Sequence, residues 1–276
     1  MLEQKLHSIT EGEDNNAKPP YSQTHCYKQP GVQLYAEDCL DTLRRMSNGS
    51  VDLLLQDTPF GCTQNEWDIK PDLSVMWEHW QRVTKQNGAM IFFATQPFAS
   101  ELIVSNAKQF RYDIIWEKDR STGFLNANKM PLRSHEHILI FYRALPIYNP
   151  QKSFGHKPMN KCGKEMTATS NYGKYEKVMT GGNTDRMPRS IIYENVINSQ
   201  HKPIHPTEKP VDLMRYLIKT YSNENETVFD GYSGSGSTAA ACLKEKRNFI
   251  GSEMNKEYFD LSVKRLSEII KQPELF

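Results

Sequence analysis

Apolar positions fall into short runs of strand length, separated by stretches with helical spacing. Leu53 to Leu55, Ala89 to Ala94, Tyr112 to Trp116, His137 to Tyr142, Thr227 to Asp230 and Phe249 to Glu253 read as buried strands, and Val32 to Tyr35 as a shorter one. Between them, Cys39 to Leu43, Leu73 to Thr84, Phe98 to Ala107 and Val211 to Tyr221 space their apolar residues as helices do. Trp77 and Trp80 then belong to the core, Asn87-Gly88 is expected to stop the helix before it, and Pro210 opens the fourth helix. Strands alternating with helices predict an α/β fold whose mainly parallel, doubly wound sheet is covered on both faces.

Three regions break the alternation. Residues 1–30 mix acidic, amide and proline residues with few apolar anchors and read as a mobile arm. Glu117 to Arg133 reads as a loop. From 143 to 202 the apolar period fades, and ten basic residues stand against four acidic ones. Lys152, Lys157, Lys161, Lys164, Lys174, Lys177, Arg186 and Arg189 are interleaved there with Tyr148, Phe154, Tyr172, Tyr175 and Tyr193, a mixture suited to phosphates and bases. A solvated insertion is the alternative. The net charge of +1 hides this local excess.

Composition narrows the class. With 276 residues, 38% of them hydrophobic, the chain can build one sizeable core with an inserted lobe. No apolar run approaches the roughly 20 residues that cross a bilayer, and the polar amino terminus leads us to expect a cytoplasmic protein with no membrane partner. Five scattered cysteines form no Cys-x-x-Cys pair, so neither a disulfide framework nor a metal site is expected.

The candidate chemistry sits where strands end. The run Leu53 to Gln56 terminates in Asp57-Thr58-Pro59-Phe60-Gly61, which places a carboxylate and an aromatic ring at a strand's carboxyl end, the ligand-binding edge of open α/β sheets. An ordinary turn with an N-cap acid is the alternative, as it is for Asp38, just past the strand 32–35. The strand 227–230 runs into Gly231-Tyr232-Ser233-Gly234-Ser235-Gly236 and an Ala-rich helix, a turn that lets a ligand lie against the backbone. It is neither a phosphate P-loop nor the strict dinucleotide spacing. Glu253 follows at the distance from which a carboxylate binds ribose hydroxyls.

Together Asp57-Thr58-Pro59-Phe60, Phe229 to Gly236, Glu253 and His205-Pro206-Thr207-Glu208-Lys209-Pro210 resemble the amino-methylating DNA methyltransferases that act on adenine N6 or cytosine N4. The resemblance covers roughly residues 32 to 270 and fits the permuted group, in which the catalytic tetrapeptide precedes the cofactor glycines and the target-recognition region lies between them. It departs at Thr58 and Phe60, where the family usually has proline and often tyrosine. It implies a catalytic domain of residues 31–142 and 203–270, a target-recognition insertion of residues 143–202 and a tail of residues 271–276. It implies S-adenosylmethionine as cofactor and double-stranded DNA as partner. Asp57, Thr58, Pro59 and Phe60 would be catalytic, gripping a flipped base. Asp38, Lys209, Asp230, Gly231, Ser233, Gly234, Gly236 and Glu253 would hold the cofactor. An aspartate-led tetrapeptide favours adenine over cytosine; another planar amine in RNA or a protein glutamine, or a non-catalytic DNA-binding module, are the alternatives. His135 and Glu136, just before a strand, are candidates for the site, with a structural role as the alternative. Gln272-Pro273-Glu274-Leu275-Phe276 is similar to peptides that bind bacterial sliding clamps, a frayed helix end being the alternative, and a homodimer is left open.

Overall fold

The computed structural model describes residues 25–61, 68–158, 181–196 and 208–271. Among them nine strands form one sheet: β1 (Cys26–Gln29), β2 (Val32–Tyr35), β3 (Val51–Gln56), β4 (Thr84–Ala94), β5 (Phe110–Thr122), β6 (Arg133–Phe141), β7 (Ile191–Tyr193), β8 (Thr227–Asp230) and β9 (Asn248–Ser252). Their order is β1-β2-β9-β8-β3-β4-β6-β5-β7. Only β1 and β6 run against the others, so the sheet is mainly parallel as expected.

Among the described residues six helices cover it: α1 (Cys39–Arg45), α2 (Leu73–Val83), α3 (Phe98–Ser105), α4 (Val211–Tyr221), α5 (Ser237–Lys244) and α6 (Lys256–Lys271). The period of two along each strand divides its side chains between two cores. Leu53, Leu55, Ile91, Phe93, Ile138 and Ile140 pack toward Leu213, Leu217, Ala241 and Leu266 of α4, α5 and α6. Leu54, Met90, Phe92, Leu139 and Phe141 face Leu43, Trp77, Trp80 and Leu102 of α1, α2 and α3. Because both faces are buried, the strand sequences read as near-continuous apolar runs. Each fully buried Leu or Phe contributes roughly 1.5–3 kcal/mol.

Several boundaries differ from the sequence expectation. Helix α2 ends at Val83 rather than at Asn87-Gly88, which fall inside β4 where its register against β3 slips between Val51 and Leu53. There a Cβ on Gly88 would stand 2.8 Å from the Asp52 carbonyl oxygen, so the close backbone approach rather than a helix stop requires glycine. The expected loop 117–133 is largely a hairpin, with β5 running to Thr122 and β6 starting at Arg133, paired to each other. Its far end is exposed on both sides, and so shows no apolar period. Cys26–Gln29, read as part of the arm, pair antiparallel with β2. Ile191–Tyr193 of the basic region join the sheet as β7 beside β5. Among the described residues, no helix is long and apolar enough to cross a membrane.

Candidate active site

The site grows from the carboxyl ends of β3 and β8, which lie side by side. Gln56, the last residue of β3, is fully buried; its amide donates to the Phe229 carbonyl at 3.1 Å while its Oε1 accepts from the Gly231 N–H at 3.2 Å. One side chain thereby fixes the Asp57 strand end against the glycine turn. At Gly231 an added Cβ would lie 2.1 Å from Cys39 Sγ, so α1 closes this turn from one side.

Asp57 leaves the strand beside three other charges. Its Oδ2 lies 2.5 Å from Lys209 Nζ, and the same ammonium is 3.5 Å from Glu136 Oε2. Glu136 in turn accepts from Lys118. Lys209 is only 6% exposed, its ammonium 5.1 Å from the Phe93 ring centroid. Signs therefore alternate along Lys118, Glu136, Lys209 and Asp57, two cations against two anions in a low-dielectric setting where an unpaired charge is costly. Burial raises the Asp57 pKa against the pull of Lys209. For Glu136, burial acts in the same direction, but Lys209 and Lys118 outweigh it and hold the carboxyl below its ordinary range. The Lys209 ammonium is stabilised above its ordinary value, because Asp57 and Glu136 outweigh desolvation.

The glycine turn is clamped by two further acids. Asp230 accepts from the Tyr232 N–H at 3.0 Å and from the Thr238 hydroxyl at 2.6 Å, and burial pushes its pKa up to about 7. Glu253, just past β9, accepts from the Gly234 and Asn255 N–H groups at 2.8 and 2.7 Å, and burial raises it too. Gly236 takes φ +80° as it enters α5, where a Cβ would stand 2.2 Å from Ser262 Oγ. Glu208, next to Lys209, accepts from Arg265 of α6 at 2.6 Å, and Arg265 also donates to the Ser235 carbonyl. The Lys209 segment is thus tied to the glycine turn.

These groups surround a cavity of about 460 Å³. All four tetrapeptide residues line it, as do Asp38, Lys209, Asp230, Gly231, Ser233, Gly234 and Glu253, while Gly236 supports the turn from behind. Asp38 is the N-cap of α1, accepting from the Leu40 N–H at 2.8 Å, and it also lines the cavity. Phe60 stacks on Phe98 with ring centroids 5.6 Å apart and stays half-buried at the cavity wall. Thr58 and Ser233 belong to the cavity wall, and their hydroxyls are buried without a hydrogen-bond partner among the described residues. Acids and the glycine turn around a space of this size fit a polar, nucleoside-bearing ligand.

The basic candidates lie elsewhere. Lys152 pairs with Asp185 at 2.8 Å, and Arg186 donates to the carbonyls of Asn183, Asp185 and Lys157, which knits that loop together. Lys157 and Arg189 are exposed. Lys161, Lys164, Lys174 and Lys177 lie outside the described residues, as do His205 to Thr207 and Gln272 to Phe276. Sequence reasoning weighed Glu136 between the site and a structural role, carried Gln56 and Glu208 only as members of longer motifs, and passed over Lys118 and Arg265. The polar end of the β3 run marked Gln56, and the acid beside Lys209 marked Glu208; nothing in the pattern marked Lys118 or Arg265.

Residues 51–264 match the family described as DNA methylase. The chain is 24% identical to the type II methyltransferase M.HindIII of Haemophilus influenzae, over 84% of this chain and 94% of that protein. It is 28% identical to the DNA adenine methyltransferase YhdJ of Escherichia coli, over 83% and 80%. Among solved structures, the M1.HpyAVI–SAM complex aligns with a TM-score of 0.58 at 24% identity, over 85% of this chain and 98% of that one. The cytosine-N4-specific PvuII DNA methyltransferase aligns with a TM-score of 0.62 at 14% identity, over 87% and 92%, a likeness of fold.

Proposed function

The chain belongs to the DNA methylase family, and we propose that it transfers the methyl group of S-adenosylmethionine to adenine N6 of a base flipped out of double-stranded DNA. The observation that carries this reading is the meeting of Asp57, Thr58 and Phe60 with the glycine turn in one cavity. The cofactor supplies a sulfonium methyl already activated for transfer, so positioning is the main task left to the protein. Asp38, Lys209, Asp230, Ser233 and Glu253 line the cavity and would hold the cofactor, with Gly231, Gly234 and Gly236 shaping the turn.

An exocyclic amine is a poor nucleophile because its lone pair is delocalised into the ring. Hydrogen bonds from it to the Asp57 carboxylate and the Thr58 carbonyl favour a tetrahedral nitrogen and stabilise the charge that develops there. Lys209 anchors Asp57 Oδ2 and leaves Oδ1 for the amine. Glu136 balances the Lys209 charge, which would otherwise oppose a cationic nitrogen. The carbonyl acceptor belongs to the backbone, so threonine serves at position 58. Phe60 offers one face to the base while Phe98 supports the other. Adenine is favoured by the aspartate-led tetrapeptide and by the likeness to an adenine methyltransferase. Asp57→Ala tests the assignment: methyl transfer is lost while DNA binding is retained, and an undiminished rate would remove Asp57 from the reaction.

We read residues 31–142 and 203–270 as the catalytic domain and 143–202 as the target-recognition insertion docked through β7, with Lys152, Lys157, Lys161, Lys164, Lys174, Lys177, Arg186 and Arg189 as its DNA contacts. A DNA substrate of the type II kind puts the work in the cytoplasm. Clamp binding through residues 272–276 is tested by deleting Leu275 and Phe276, and homodimer formation by sedimentation of the intact chain.

A further inference from the structure

The β5–β6 hairpin leaves the sheet at the edge where Asp57 sits. β4 ends with Ala94 opposite His137, and residues 133–136 of β6 continue beyond it. At about 3.3 Å per residue the hairpin stands roughly 13 Å above that edge before its tip begins. Its base belongs to the active site, because Glu136 lines the cavity and Lys118 holds Glu136. The tip is ordered by its own backbone: Asn126 and Ala127 N–H groups bond back to Gly123 and Phe124 at 2.9 and 3.1 Å, and Met130 N–H to Asn126 at 3.1 Å. Yet the side chains it presents are apolar and uncovered, with Phe124 76%, Leu125 89% and Met130 58% exposed. From 120 to 133 the segment carries Arg120, Lys129 and Arg133 and no acid, with Arg120 paired to the preceding Asp119 at 3.8 Å.

An exposed apolar tip is costly in water unless something covers it. Cations flanking such a tip suit a polyanion with an apolar interior, and the position beside the cavity fixes which part of it. We propose that the hairpin tip, led by Phe124 and Leu125, enters the duplex at the target base pair and fills the space the flipped base leaves, with Lys129 and Arg133 on the adjoining phosphates. This rests on the DNA-methylating reading above. Apolar wedges of this kind hold bases unstacked, and contact with the tip would offset the cost of unstacking.

The test compares Phe124→Ala/Leu125→Ala with wild type on two duplexes carrying the mapped site, one fully paired and one mismatched opposite the target adenine. On the paired duplex kcat/KM falls about tenfold or more, while on the mismatched one, whose base is already loose, it stays within about twofold. Leu125→Ser alone shifts the ratio in the same direction, and both variants bind S-adenosylmethionine as wild type does. Equal losses on both duplexes, or none on either, would overturn the wedge. A wild-type chain active on DNA alongside an unaffected variant refutes the wedge alone, whereas a wild-type chain inactive on every DNA refutes the methylating reading and the wedge with it.

Discussion

Asp57 is an acid whose usefulness depends on its neighbours. It must be ionised to accept from an amine, yet burial lifts its pKa and the Glu136 anion adds to that, while Lys209 opposes both. Methyl transfer should therefore fall on its acid limb above the usual carboxylate range. Glu136→Gln removes the repelling anion and so moves that limb to lower pH, while the lost balance against Lys209 reduces kcat about tenfold. A rate profile with the limb unmoved would show that Glu136 only packs. Asp230 makes a separate prediction about stability. Its folded pKa of about 7 lies above its ordinary 3.8, so the stability it lends is complete below 3.8 and is lost as pH rises through about 7. Asp230→Asn keeps the acceptor for the Tyr232 N–H and turns an amide toward Thr238, and should flatten this fall of a few kcal/mol in stability, followed as melting temperature against pH. A slope that survives the substitution would assign it to another group.

The elements that were legible are those buried on both faces. β3, β4, β8 and β9 show as apolar runs because helices cover them above and below, and the glycine turn shows because Gly231 and Gly236 stand where α1 and α6 leave no room for a Cβ. The outer hairpin and β7 were not legible, since residues 119–133 are exposed on both sides and Ile191–Tyr193 amount to a single short strand. Nor could the charge row be read from spacing. Lys118 and Glu136 meet across the β5–β6 register, and Asp57 and Lys209 stand 152 residues apart, joined only by the strand order. The tightness of the turn is measurable. Gly231→Ala sets a methyl against Cys39 Sγ and should destabilise by about 1–3 kcal/mol, seen as a lower melting temperature. Cys39→Ala in the same chain should restore part of it, and purely additive losses would mean the two do not touch.

At the scale of the whole molecule, one sheet edge gathers the ends of β3, β8 and β9 around a single cavity, with the hairpin rising at one side. The tetrapeptide and the glycine turn therefore lie far apart in sequence and adjacent in space, an arrangement suited to holding a donor and an acceptor together. The account stands or falls on the modified base. DNA from a host expressing the protein, digested to nucleosides and resolved by mass spectrometry, should contain N6-methyladenine that is missing when the Asp57→Ala chain is expressed instead. N4-methylcytosine in its place, or no mark above the host background, would contradict it.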